Sequence, residues 1–190
     1  MRWGLAKILA ITTLGLWGWG LKAEQPALSL KERKEAEKSV EVKITVIYDN
    51  YSLVEGLETE WGFSCLIEGL DKTILFDTGG RGDLLLENMK KLNINPQEID
   101  IVFISHDHWD HTGGLLSFLQ ENPQVEVWLL DSFSPNLKNE VTRSGAILRE
   151  IKGPTPVCPG AYSTGTLGAA IKEQSLVVES KEGLVLVTGC

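Results

Sequence analysis

The chain has 190 residues, 43% of them hydrophobic, and a formal net charge of −8. That length and apolar content suit one domain with a sizeable core and a short appendage. The acidic balance, with no dense Lys/Arg run, excludes a nucleic-acid-binding surface and is read as serving solubility.

The N-terminus reads as a separate object. Arg2 and Lys7 precede an uncharged stretch from Ile8 to Leu21, and Leu21-Lys22-Ala23 ends it. A basic start, an apolar middle and a small residue at the end are the pattern of a secretory signal. The uncharged stretch is shorter than the ~20 residues that span a bilayer. Trp3, Trp17 and Trp19 leave open the alternative of an uncleaved anchor over residues 3–21, with its tryptophans at the membrane interface. The expected location is therefore periplasmic or extracellular, or membrane-anchored. Membrane contact is expected only if residues 1–23 stay attached. Residues 24–39 are charge-rich and read as a linker, either a short exposed helix or a tether.

The globular part is expected over residues 40–190. Alternation at Val42, Ile44, Val46 and Tyr48 predicts a strand that ends at Asp49-Asn50. Further strands are predicted at Phe63–Glu68 and Thr73–Phe76, the latter running into the turn Asp77-Thr78-Gly79-Gly80. Leu84, Leu85, Met89 and Leu92 have helical spacing, so Asp83–Leu92 is predicted helical and stopped by Asn93–Pro96. Ile99–Ile104 is a nearly continuous apolar run, as expected of a strand buried on both faces. A short helix at Leu115–Leu119 and a strand at Val125–Leu130 follow. From Asp131 to Gly160 the pattern is weak, and Pro135, Pro154, Pro156 and Pro159 mark loops. Ser175–Glu179 and Leu184–Val187 close the chain as a hairpin. Strands mixed with helices predict an α/β or α+β layered sandwich.

Cys65, Cys158 and Cys190 are widely spaced and form no Cys-x-x-Cys, which argues against a zinc ribbon or a thioredoxin-type site. Cys65 sits in an apolar run and reads as a small buried hydrophobe. Export would permit one disulfide, and the spacing leaves its pair open.

All three histidines of the chain fall in six residues, His106-Asp107-His108-Trp109-Asp110-His111. Imidazole and carboxylate are the side chains that bind zinc-like metals. An extended backbone puts His106 and His108 on one side, and a following loop can turn Asp110 and His111 toward the same point. Two such pairs could serve two neighbouring ions that share a water. The candidate metal ligands are His106, His108, Asp110 and His111, with Asp110 also the candidate catalytic carboxylate. Asp107 points away from the histidines in this geometry and is expected to support one of them from behind. Asn50 is either a turn residue or a strand-end group that reaches the site.

At these residues the chain resembles the metallo-β-lactamase superfamily, whose hallmark is His-x-His-x-Asp-His after a buried strand. Phe76-Asp77-Thr78-Gly79-Gly80 is similar to the Asp-Thr-Gly turn beside that family's metal site, and Ser105 and Gly113-Gly114 flank the cluster as expected. Tyr48-Asp49-Asn50, Glu60-Trp61-Gly62-Phe63-Ser64, Glu173-Gln174-Ser175-Leu176 and Val187-Thr188-Gly189-Cys190 resemble the dihydropterin-linked ribofuranosylaminobenzene phosphate synthase branch. The resemblance implies an αββα sandwich, of which residues 40–190 would form the N-terminal half plus following strands, truncated at the C-terminus. It implies two metal sites, with zinc, manganese or iron held by His106 and His108 in the first and by Asp110 and His111 in the second. It also places Asp77 beside the metals. Members carry further ligands beyond the point matched by Cys190, so each ion would have two ligands here, against the three usual for catalytic zinc. The expected activity is metal-dependent hydrolysis of a small ester or phosphate-bearing molecule. A pterin-linked transferase or synthase, and a non-catalytic or truncated metal-binding fragment, are the alternatives.

Overall fold

The computed structural model describes residues 41–51 and 54–189. The leader and linker expected over residues 1–39, and Cys190, lie outside the described residues. No described helix is long and apolar enough to cross a membrane.

Six strands form the first sheet, in the order β1 (Lys43–Tyr48), β2 (Ser64–Glu68), β3 (Ile74–Phe76), β4 (Ile101–Phe103), β5 (Glu126–Leu130) and β6 (Ile147–Ile151). The first three are antiparallel; β3 through β6 run parallel. β3, Ile-Leu-Phe, and β4, Ile-Val-Phe, are buried along their whole length, which is what a parallel strand covered on both faces requires. Phe76 and Phe103 face each other in this register and stack with ring centroids 5.7 Å apart.

Helices lie against one face. Helix α1 (Gly82–Lys91) buries Leu84, Leu85 and Met89 and packs on β1. Asp83 in its first turn and Lys90 and Lys91 in its last complement the helix dipole. After the short turn α2 (Trp109–Thr112), α3 (Leu115–Glu121) packs beside α1, and α4 (Pro135–Arg143) packs against β6. A second sheet covers the other face. Its order is β10 (Gly183–Val187), β9 (Leu176–Ser180), β8 (Ala161–Ser163) and β7 (Thr155–Cys158), all antiparallel. Ala161, Leu176, Val178 and Val187 from this sheet share one core with Phe103, Ile104, Leu129 and Leu130 of the first. The result is a mixed α/β layering of helices, sheet and sheet.

Residues 131–160 depart from expectation, since they hold α4, β6 and β7 rather than loops. Helix α4 is capped by the Ser134 hydroxyl, which accepts from the Leu137 N–H, and has Pro135 in its first turn, where proline is tolerated. Val141 is its one fully buried residue, so the apolar period is too faint to read. Pro156 sits in β7, an edge strand, where a missing N–H costs no ladder bond. The closing hairpin of β9 and β10 is as expected. β10 is the other edge of the second sheet, and its Leu184 and Leu186 are exposed.

Candidate metal centre

Strands β3 and β4 are parallel neighbours, so the chain leaves both at one sheet edge, the usual place for a site in such sheets. Asp77 follows β3, and Ser105 and His106 follow β4. Asp77 is fully buried and has a left-handed backbone with φ 54°, an arrangement a non-glycine residue adopts at a cost on the order of 1–3 kcal/mol. Its carboxylate is surrounded by donors. Oδ1 accepts from the Ser105 backbone N–H at 2.7 Å, and Oδ2 accepts from the Ser105 hydroxyl at 2.7 Å. The same Oδ2 lies 2.7 Å from His111 Nδ1.

These bonds set the histidine tautomers. The Ser105 proton goes to Asp77, so Ser105 Oγ accepts from His106 Nδ1, 2.9 Å away. His111 likewise donates Nδ1–H to Asp77. Both rings then turn Nε2 inward, the arrangement in which a metal-binding histidine anchors its other nitrogen on an oxygen. His106 Nε2 and His108 Nδ1 are 3.0 Å apart, and His111 Nε2 and Asp110 Oδ2 are 3.4 Å apart. With metal–nitrogen bonds of about 2.0–2.1 Å, two ligands on one tetrahedral ion lie about 3.4 Å apart. Each pair is within a few tenths of an ångström of that spacing. The His106 and His111 ring centroids are 4.2 Å apart, so the pairs adjoin. Among the described residues, however, no group of three or more His, Cys, Asp or Glu is placed to hold an ion. The donors fit a metal two by two and no further.

Electrostatics separate the two buried rings. Burial pushes His106 below the ordinary imidazole value, and the neighbouring His111 adds to this, while Asp77 pulls the other way. Burial also acts to lower His111. There the Asp77 hydrogen bond and the charges of Asp77, Asp110 and Glu173 outweigh it and hold the ring above the ordinary value.

Backbone contacts fix the loop. His111 and Thr112 donate their N–H groups to the His108 carbonyl, forming α2, and Thr78 donates both its N–H and its hydroxyl to the His111 carbonyl at 2.9 and 2.8 Å. A Cβ on Gly113 would collide with the Gly80 carbonyl, and one on Gly114 with the Thr78 carbonyl. The two glycine pairs therefore let the Asp77 turn and the histidine loop pack backbone to backbone. Asn50 acts at one remove: its Oδ1 accepts from the Gly62 N–H at 2.9 Å, and the next residue, Phe63, donates its N–H to the Asp110 carbonyl at 3.4 Å.

Asp107 has its described hydrogen bond away from the cluster. Its Oδ2 accepts from the Ser134 N–H at 2.9 Å, and among the described hydrogen bonds it makes none to a histidine. The alternation that brings His106 and His108 together turns Asp107 toward the α4 entrance. Sequence reasoning quoted Ser105 and Gln174 without foreseeing their roles. Gln174 donates from Nε2 to the Ile104 carbonyl and from its N–H to the Ser105 carbonyl, both at 2.8 Å, tying the second sheet to the base of the site. Gly189 crosses the same floor, since a Cβ there would collide with Ser105 Oγ and crowd Asp77 Oδ2.

A family profile of the metallo-beta-lactamase superfamily matches residues 62–156, half of the chain, including Asp77 and the whole histidine cluster. The chain belongs to the metallo-beta-lactamase superfamily. Within this superfamily it is similar to the 7,8-dihydropterin-6-methyl-4-(beta-D-ribofuranosyl)-aminobenzene-5'-phosphate synthase of Methanocaldococcus jannaschii, with 27% identity over 78% of this chain and 67% of that protein. It is also similar to an N-acyl homoserine lactonase of Bacillus cereus, with 29% identity over 56% of this chain and 44% of that protein. A solved structure described as a metal-dependent hydrolase of the beta-lactamase superfamily superposes with a TM-score of 0.61 and 30% identity, covering 77% of this chain and 65% of that one. The chain thus spans about two thirds of the length of the synthase and of the solved hydrolase.

Proposed function

We propose that this superfamily member is a metal-dependent hydrolase of a small ester or phosphate-bearing substrate. The observation that carries the reading is the gathering of four donors, two of them anchored from behind: His106 on Ser105 and His111 on Asp77, with His108 and Asp110 each beside one of these rings. His106 and His108 would hold one ion, and Asp110 and His111 a second, with zinc favoured by the imidazole-rich set and manganese or iron as substitutes. A zinc ion held by these residues would lower the pKa of a bound water to about 7. The chain's own residues hold the arrangement in place. Asp77 fixes the orientation of His111 and, through Ser105, of His106, and Gln174 holds the strand end beneath them. With two described donors per ion, binding would be weak.

The test is elemental analysis after equilibrium dialysis against zinc, manganese and iron, joined to turnover of a phosphodiester and a carboxylic ester. Bound metal, and loss of both metal and turnover in His108→Ala, are expected. Turnover that persists in metal-free protein would reject the reading.

A second reading is a synthase or transferase with a pterin-like substrate. It is favoured by the larger share of this chain matched by the synthase, 78% against 56% for the lactonase. Thermal protection by pterins and not by simple esters would select it. Export or anchoring by residues 1–23 is likewise proposed, and N-terminal sequencing of the mature protein checks it.

A further inference from the structure

Beside His108 a cleft of about 310 Å³ is lined by Asp107, His108, Ser132, Ala170, Ile171 and Lys172. Its chemistry is uneven. One wall is apolar, with Ile171 53% exposed. The opposite character comes from Lys172, a cation that lines the same cleft as His108.

Lys172 stands out in an acidic chain. Most described cationic side chains lie within ion-pair distance of a carboxylate: Lys43 with Glu68, Lys72 with Asp100, Lys138 with Glu150, Arg149 with Glu126. Lys172 is exposed and has no such partner among the described ion pairs. Asp107 shares the cleft, but its carboxylate holds the Ser134 N–H. Lys90 and Arg143 have no partner among the described ion pairs either, but the surface Lys90 lines holds no histidine and Arg143 sits in the last turn of α4.

We propose that Lys172 is the specificity-determining residue of this site, and that the substrate carries a phosphate or carboxylate group on an apolar body. The anion sits on the Lys172 ammonium, the apolar part lies against Ala170 and Ile171, and the group to be cleaved points toward His108. This rests on the reading of His108 as part of the reacting centre. A lysine without an internal partner is ready to accept a ligand anion without first breaking an ion pair, and a charged contact of this kind shifts affinity by roughly tenfold.

The full chain is titrated with phenyl phosphate, benzoate and benzyl alcohol, followed by amide chemical shifts, once with EDTA and once with zinc. At least one anion should shift residues 170–173 and bind at least tenfold tighter than the neutral alcohol, and the tighter of the two anions assigns the group. Lys172→Gln should remove the preference and Lys172→Arg keep it. Equal affinity for all three probes, a preference that survives in Lys172→Gln, or shifts confined elsewhere overturns the proposal. The EDTA series separates the two readings. Anion preference without zinc uptake would sink the metal assignment alone, and zinc uptake without anion preference would sink the role of Lys172 alone.

Discussion

Asp77 and His111, 34 residues apart, are joined by a 2.7 Å hydrogen bond from the ring Nδ1 to the carboxylate Oδ2. The same oxygen takes the Ser105 hydroxyl, whose Oγ anchors His106. One buried carboxylate therefore orients two of the three imidazoles. Asp77→Asn keeps the shape but loses the charge. It is expected to weaken zinc binding by roughly 10–100-fold, the usual effect of removing the oxygen partner of a metal-binding histidine. Competition with a chromophoric chelator measures this, and circular dichroism confirms that the fold is retained.

Asp107 gives the opposite prediction, although it lies inside the motif. Its carboxylate serves the Ser134 N–H. Asp107→Ala should leave zinc affinity within about twofold and cost about 1 kcal/mol of stability, the net worth of one such hydrogen bond. Chelator competition and urea denaturation on the same sample read both quantities. A large loss of metal affinity would restore Asp107 to the site.

Cys65 is fully buried, and burial, with a further push from Asp77, drives its thiol up to about 12. An unfolded cysteine ionises near about 8.5. The folded form thus binds this proton more tightly, and the stability this contributes is fully present below about pH 8.5 and lost as pH rises toward 12. Urea midpoints should fall from pH 8 to 10.5, and less steeply in Cys65→Ala, which loses packing but carries no thiol. The native thiol should also resist iodoacetamide until the protein is unfolded.

The β10 edge exposes Leu184 and Leu186 on a strand whose five residues carry no charge. Such edges invite pairing with other chains. Replacing both leucines with lysine should raise the concentration at which the protein stays monomeric in light scattering, with little change in the thermal midpoint, because neither side chain is in the core.

Much of this architecture is legible in the sequence. The buried strand before the cluster is a continuous apolar run, and the hairpin of β9 and β10 shows alternation around Gly183. Helix α4 and strand β7 were not legible, because one buries a single residue and the other carries a proline that only an edge strand tolerates. At the site, the spacing of His106, His108, Asp110 and His111 shows the donors but not what holds them. Ser105 anchors His106 only because Asp77 takes its proton, and Gln174 reaches Ser105 from another sheet. Contacts between residues so far apart along the chain leave no local period to read.

The paired glycines have a practical consequence for anyone remodelling this protein. Gly113 meets Gly80 and Gly114 meets Thr78 through main chain, and His111 meets Asp77 through a buried side-chain hydrogen bond, so neither segment has room to absorb a change in the other. A graft, a loop exchange or a combinatorial library must carry both segments together, as if they were one uninterrupted stretch of polypeptide.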